Sequence, residues 1–225
     1  MHKTKASSKF WISLVIFSLV GQVAWVVENM YLNVFIYKMF RASAADISSM
    51  VSASAIAATV TTVLMGALSD KLGKRKVFIC AGYILWGISI WGFAAIRMDV
   101  INALLPSVAS AASVGVALVI ILDCIMTFFG SAANDACFNA WLTDSTEEGG
   151  RGAAEGINAM MPLVAILAVF GGFMAFDLDK AESWTAIFLI IGIAVTLIGL
   201  LGIFLIKDAP HVSKSEGGMF ANILY

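Results

Sequence analysis

Charge is scarce in this chain. Only 13% of its 225 residues are Asp, Glu, Lys or Arg, against about 25% in an ordinary soluble domain, and the mean hydropathy is +0.93. A soluble globular domain is excluded. The strict alternation of apolar and polar residues that marks a membrane β-strand is also missing, which excludes a closed barrel. Histidine is limited to His2 and His211, both in polar tails. Cysteine is limited to Cys80, Cys124 and Cys137, each inside an apolar run and spaced for no metal pattern. There is no nucleophile–base arrangement and no glycine-rich phosphate loop after a strand. No basic surface is interleaved with aromatics. Enzyme chemistry, a metal, a cofactor and nucleic acid are therefore not expected.

What the chain does have is apolar length. Crossing the hydrocarbon of a bilayer takes about 20 apolar residues in a helix, and the sequence predicts six such spans, at about 10–37, 47–68, 77–96, 113–142, 153–176 and 185–206. The opening MHKTKASSKF has the charge layout of a signal peptide. The apolar run behind it continues to about Tyr37 with no small-x-small cleavage site, so it reads as a retained first span. The expected fold is an all-α integral membrane bundle over 1–206, with 207–225 as a polar tail or the start of a linker. Lys3, Lys5, Lys9, Lys71, Lys74, Arg75, Lys76, Arg151, Lys207 and Lys214 fall on one side of six spans. Only Lys38, Arg41, Arg97 and Lys180 fall on the other. Basic residues collect on the cytoplasmic side, so both termini are expected there, in a plasma or inner membrane.

The most charged run of the first half is GALSDKLGKRK, residues 66–76. A cytoplasmic anchor needs only its lysines and arginine. It does not need Asp70, or Gly66 and Gly73 at fixed spacing. Gly66 is expected to let the second span pack closely on a neighbour, and Gly73 to allow a tight turn. Gly66, Asp70, Gly73, Lys74, Arg75 and Lys76 fit G-x-x-x-D-[RK]-x-G-[RK]-[RK]-[RK], which resembles the loop between helices 2 and 3 of the major facilitator superfamily. Lys71 and Lys74 stand where Arg is usual. The second charged loop, LTDSTEEGGRGAAEG, is similar to that superfamily's helix 4–5 loop at Asp144, Arg151, Gly152 and Gly156. The resemblance implies one six-helix half of a twelve-helix fold, built as two inverted three-helix units. It implies that Asp70 faces a helix N-terminus of the other half, where the backbone dipole is positive, and that Arg75 pairs with an acid at the inner end of the fourth helix, for which Asp144 is the candidate. Together these residues would latch the outward-open state.

Polar and ionisable residues inside a bilayer are costly and usually functional. In the first span Gln22, Trp25, Asn29 and Asn33 follow the spacing of one helical face, and Glu28 lies beside them. In the fourth span Asp123, Thr127, Ser131 and Asn134 share a face, with Asp135 and Asn139 following. At about 1.5 Å of rise per residue, Glu28 and Asp123 each lie roughly 27 Å from the cytoplasmic end of their span. Two carboxylates held close in a low dielectric share a proton rather than both ionising. Asp135 is placed to relay that proton or to bind the loop. Asn29, Asn134 and Asn139 are alternatively helix cross-links, and the tryptophans other than Trp25 are expected in the core or the interface belts.

The expected function is secondary active transport of a small polar solute by alternating access, coupled to H⁺ or Na⁺. The acid-bearing fourth helix and the run FNAWLTD resemble the glycoside–cation symporter branch, which implies a sugar-like substrate. A drug or metabolite exporter and a non-transporting six-helix partner module are the alternatives. The expected partners are the lipid bilayer, the small-molecule substrate, and a second six-helix half or a second copy of this chain.

Overall fold

The computed structural model describes residues 7–107 and 110–208. His2, Lys3, Lys5, His211, Lys214 and all but the first two residues of the predicted tail lie outside the described residues. Among the described residues, six helices are long and apolar enough to cross a membrane. They are span 1 (Ser8–Phe40), span 2 (Ala44–Leu72), span 3 (Arg75–Ala95), span 4 (Ala111–Asp144), span 5 (Glu148–Phe173) and span 6 (Ala181–Leu205). The mildly apolar stretch ahead of span 4 contains a separate short helix, Met98–Leu104.

Local chemistry explains the ends. Ser7 caps span 1 by accepting a hydrogen bond from the Phe10 amide. Ser43 and Asp46 form a reciprocal capping box at the start of span 2, a device worth about 1 kcal/mol. Span 2 stops at Gly73, whose φ of 62° lies in the left-handed region that favours glycine. Two residues later span 3 begins, so the charged run forms a tight reversal.

Spans 1 and 4 are the long ones, at 33 and 34 residues. Each contains a π-helical segment, Val27–Leu32 in span 1 and Ser131–Phe138 in span 4. The segments begin after 19 and 20 residues of α-helix. The two spans run in opposite directions, so the interruptions lie towards opposite ends of the bundle.

The helices pack in the lateral order 5–1–6–3–4–2. Burying apolar area drives little association between helices in lipid, so close backbone approach has to do that work. The most extensive contact, between spans 3 and 6, is built this way. A Cβ added at Gly87 would stand 2.6 Å from the Gly192 carbonyl and the Thr196 amide, and one at Gly199 would stand 2.7 Å from the Ile84 amide. An aromatic cluster of Phe35, Phe93, Trp184 and Phe188 closes the end away from Ser8. At that end Arg97 pairs with Asp99 and Glu182, and Lys38 with Asp179. The hydrogen bond from Arg97 holds the Asp99 carboxyl below its ordinary range.

Spans 2 and 5 flank the bundle and are its least buried helices. Gly66 has no close neighbour among these six spans. Nothing lies within 4 Å of the place a Cβ would take there. Substitution tests the distinction. Gly87→Leu should lower the stability of the purified bundle by about 1–3 kcal/mol, whereas Gly66→Ala should leave its melting temperature unchanged. Equal sensitivity at the two positions in a thermal melt would contradict this packing.

Candidate functional site

Two polar groupings stand out, one at the end of the bundle that carries Ser8 and Leu205, the other deep between spans 1 and 4.

At the Ser8 end the chain reversal around Gly73 brings Arg75 back over span 2. The Arg75 guanidinium forms an ion pair with Asp70, donates from Nε to Asp144 Oδ2 at 3.1 Å, and donates from Nη1 to Ser69 Oγ at 2.5 Å. Ser69 passes its own hydrogen to the Gly66 carbonyl at 3.0 Å. Arg75 is 6% exposed and Ser69 fully buried, so the planar fork of the guanidinium is held on three sides. The ends of spans 2, 3 and 4 are thereby joined by one cation. Arg151 stands apart and donates to the Thr143 carbonyl at 3.3 Å. Beside the cluster, the segment after span 6 is pinned twice. Trp141 Nε1 donates to the Lys207 carbonyl at 2.8 Å, and the Lys76 amide donates to Asp208 Oδ1 at 2.7 Å.

In the deep grouping Glu28 is 7% exposed and Asp123 only 1%. Glu28 Oε1 accepts a hydrogen bond from Thr127 Oγ1 at 2.8 Å. Glu28 Oε2 and Asp123 Oδ1 are buried with no hydrogen-bond partner among the described residues. The two carboxyls interact electrostatically, and the Ser54 side chain of span 2 stands beside Asp123. No Lys or Arg occurs in Val27–Leu32, which carries Glu28, or in Ala111–Gly130, which carries Asp123 and Thr127.

Further along span 4, Asn134 Nδ2 donates to Asp135 Oδ1 at 3.2 Å, and Asn134 Oδ1 lies 2.8 Å from Tyr83 Oη of span 3. The Trp25 indole nitrogen and the Ser131 hydroxyl, neighbours of the Asp135 carboxyl, are buried without a hydrogen-bond partner. Then Ser18 donates to Asn158 Oδ1 at 2.5 Å, and Asn158 Nδ2 donates to Asn139 Oδ1 at 3.3 Å. That chain links spans 1, 5 and 4.

The two predicted faces differ in burial. Asp123, Thr127, Ser131 and Asn134 are all buried in helix packing. Gln22, Trp25 and Asn33 are half-buried and Asn29 is exposed. Asn29 does not cross-link helices. It donates to the Trp25 carbonyl of its own turn at 2.8 Å, and Asn33 likewise donates to the Asn29 carbonyl at 2.9 Å. The π segment between Trp25 and Asn33 turns Glu28 inward and leaves Asn29 outside. Asn134 and Asn139 do bridge helices, to Tyr83 and Asn158. Sequence reasoning missed Tyr83, Asn158, Ser18, Ser54 and Ser69. Tyr83 and Asn158 were the findable ones, as a hydroxyl and an amide within apolar runs.

The profile of the Major Facilitator Superfamily matches residues 10–222. A comparison with curated proteins returns no match.

The contact of Arg75 with Asp144 predicts a measurable coupling. A double-mutant cycle with Arg75→Gln and Asp144→Asn should return about 1–3 kcal/mol in equilibrium unfolding, the range for a charged hydrogen bond with one partner buried. Additive effects would mean that the pair does not act as a unit.

Proposed function

The chain belongs to the Major Facilitator Superfamily, whose members are secondary transporters and not enzymes, and we propose that it moves a small polar, sugar-like solute by alternating access, coupled to H⁺ or Na⁺. One observation carries the coupling. Glu28 and Asp123, from two different spans, are buried within electrostatic reach of each other, with unpartnered oxygens and no basic side chain in Val27–Leu32 or Ala111–Gly130. Two ionised carboxylates are not tolerated in such a place. Each must hold a proton or share a small cation, and this occupancy is what an ion gradient sets. The solute class is supported by the amides and indole carried on the same two spans. Gln22, Trp25, Asn29 and Asn33 on span 1, with Asp135 and Asn139 on span 4, offer donors and acceptors of the kind a polyhydroxylated molecule pairs with. An exporter of apolar drugs would want an apolar wall instead.

In this reading the Asp70–Arg75–Asp144 cluster is the latch that holds one end of the bundle closed, and it opens when the other end shuts. The basic end is the cytoplasmic one, by its excess of Lys and Arg. A second six-helix half is the partner of the exposed sides of spans 2 and 5 and of the open face at Gly66.

Uptake into proteoliposomes of the complete transporter, screened over sugars and polyols, tests the reading. Glu28→Gln and Asp123→Asn should abolish gradient-driven accumulation by tenfold or more, on the order of 1.4 kcal/mol per decade, while downhill exchange persists. Asp70→Asn should abolish transport with membrane insertion intact. Unchanged H⁺ and Na⁺ dependence in both carboxylate variants would remove them from the coupling site.

A further inference from the structure

Tyr83 is fully buried on span 3, and its hydroxyl sits between two acceptors. Phe17 O of span 1 is 2.9 Å away and Asn134 Oδ1 of span 4 is 2.8 Å away. A phenol has one hydrogen to donate, so only one of these contacts is a donated bond at a time. The other end of the Asn134 amide donates to Asp135 Oδ1. That arrangement suits an ionised Asp135, because a carboxylate only accepts.

Protonation changes the count. A protonated Asp135 can donate to the amide oxygen of Asn134, which then has to point at it. The two ends of a carboxamide are nearly isosteric, so the amide can turn over in place. Its NH₂ group then faces Tyr83 Oη, which accepts, and the Tyr83 hydrogen rotates to Phe17 O. Both arrangements leave every one of these polar atoms satisfied, and no proton leaves Tyr83 in either. Few residues other than a tyrosine with a second acceptor behind it would allow both. The close fit is built in, because a Cβ added at Gly21 of span 1 would lie 2.6 Å from Asn134 Oδ1 and from Tyr83 Oη.

We infer that Tyr83 and Asn134 form a two-state hydrogen-bond relay that reads whether Asp135 holds a proton and passes the answer to the backbone of span 1 at Phe17. With Asp135 ionised, Tyr83 donates its hydrogen to span 4. With Asp135 protonated, it accepts from span 4 and donates its hydrogen to span 1. The titratable groups that face Asp135 from packed elements are Glu28 on span 1 and Tyr83 on span 3. Cys137, two residues on, faces Ser69, Asp70 and Arg75 instead. Asn134 and Tyr83 are positioning residues. They act through Asp135, and the inference rests on the expectation from the sequence that Asp135 relays the coupling proton.

The test is infrared difference spectroscopy between acid and alkaline buffer, on the protein in lipid nanodiscs with ring-labelled tyrosine. The probe is the proton itself. A carboxyl band assigned by its loss in Asp135→Asn should titrate together with a tyrosine C–O band, at one midpoint. The tyrosine change should vanish in Asp135→Asn, and in Tyr83→Phe the Asp135 midpoint should move by roughly three- to tenfold in proton concentration, the worth of one hydrogen bond. If Tyr83→Phe does not fold, Asn134→Leu serves for the same comparison. An Asp135 that titrates while the tyrosine band stays still overturns the relay and leaves the transport reading standing. An Asp135 that does not titrate at all overturns both the relay and the part given to Asp135 in coupling.

Discussion

Inside a bilayer a carboxylate has neither water nor a mobile counter-ion at hand, and this chain buries two of them within electrostatic reach of each other. The rest of the polar interior is arranged around that constraint. Thr127 satisfies one oxygen of Glu28, while Glu28 Oε2 and Asp123 Oδ1 keep no protein partner among the described residues. A site built only for stability would pair those oxygens or replace them with apolar atoms. Both helices that carry polar clusters also leave α geometry. Glu28 lies in the π segment of span 1, and Asn134 and Asp135 lie in that of span 4. A π segment inserts a residue into the turn and re-aims the side chains around it, and such segments are frequent at functional sites. The two interruptions follow 19 and 20 residues of α-helix in antiparallel spans, an arrangement that suits two three-helix units of opposite topology.

Span 4 joins the deep carboxylates to the latch. Asp123 and Asp144 lie on one continuous helix, about 30 Å apart along its axis. Thr127, Asn134 and Asn139 contact spans 1, 3 and 5 between those points. A rotation or bend of span 4 around its π segment would therefore be felt at Arg75, where spans 2, 3 and 4 meet on one guanidinium. The segment Ile206–Asp208 is held against the same end by Trp141 and by the first turn of span 3. Any displacement there reaches the end of span 6.

The class of fold was legible because it follows from composition. Six apolar runs with little charge between them admit few other arrangements. The ion pair of Arg75 with Asp144 was legible only through the resemblance carried by Gly73 and its neighbours. Nothing in the spacing alone joins residues 69 positions apart. Gly66 was half legible, because a glycine in a membrane helix signals close packing without saying against what, and none of the other five spans comes within 4 Å of a Cβ placed there. The asparagines of span 1 were half legible. Their spacing assumes 3.6 residues per turn, and the π segment breaks that period. Tyr83 was findable as a hydroxyl within an apolar run, but its role was not legible, since only the placement of Phe17 and Asn134 on both sides of its hydroxyl gives it one.

The most direct measurement of the central claim is carbodiimide labelling of the folded protein in lipid, read by peptide mass spectrometry. A carbodiimide enters apolar surroundings and reacts with protonated carboxyls, so it reports occupancy of the Glu28–Asp123 pair without knowledge of the solute. The account predicts modification at Glu28 or Asp123 that is slowed by raising the pH if the coupling ion is H⁺, or by adding Na⁺ if it is Na⁺. Labelling of both residues that responds to neither would contradict it, because carboxyls that exchange no ion cannot couple transport to a gradient.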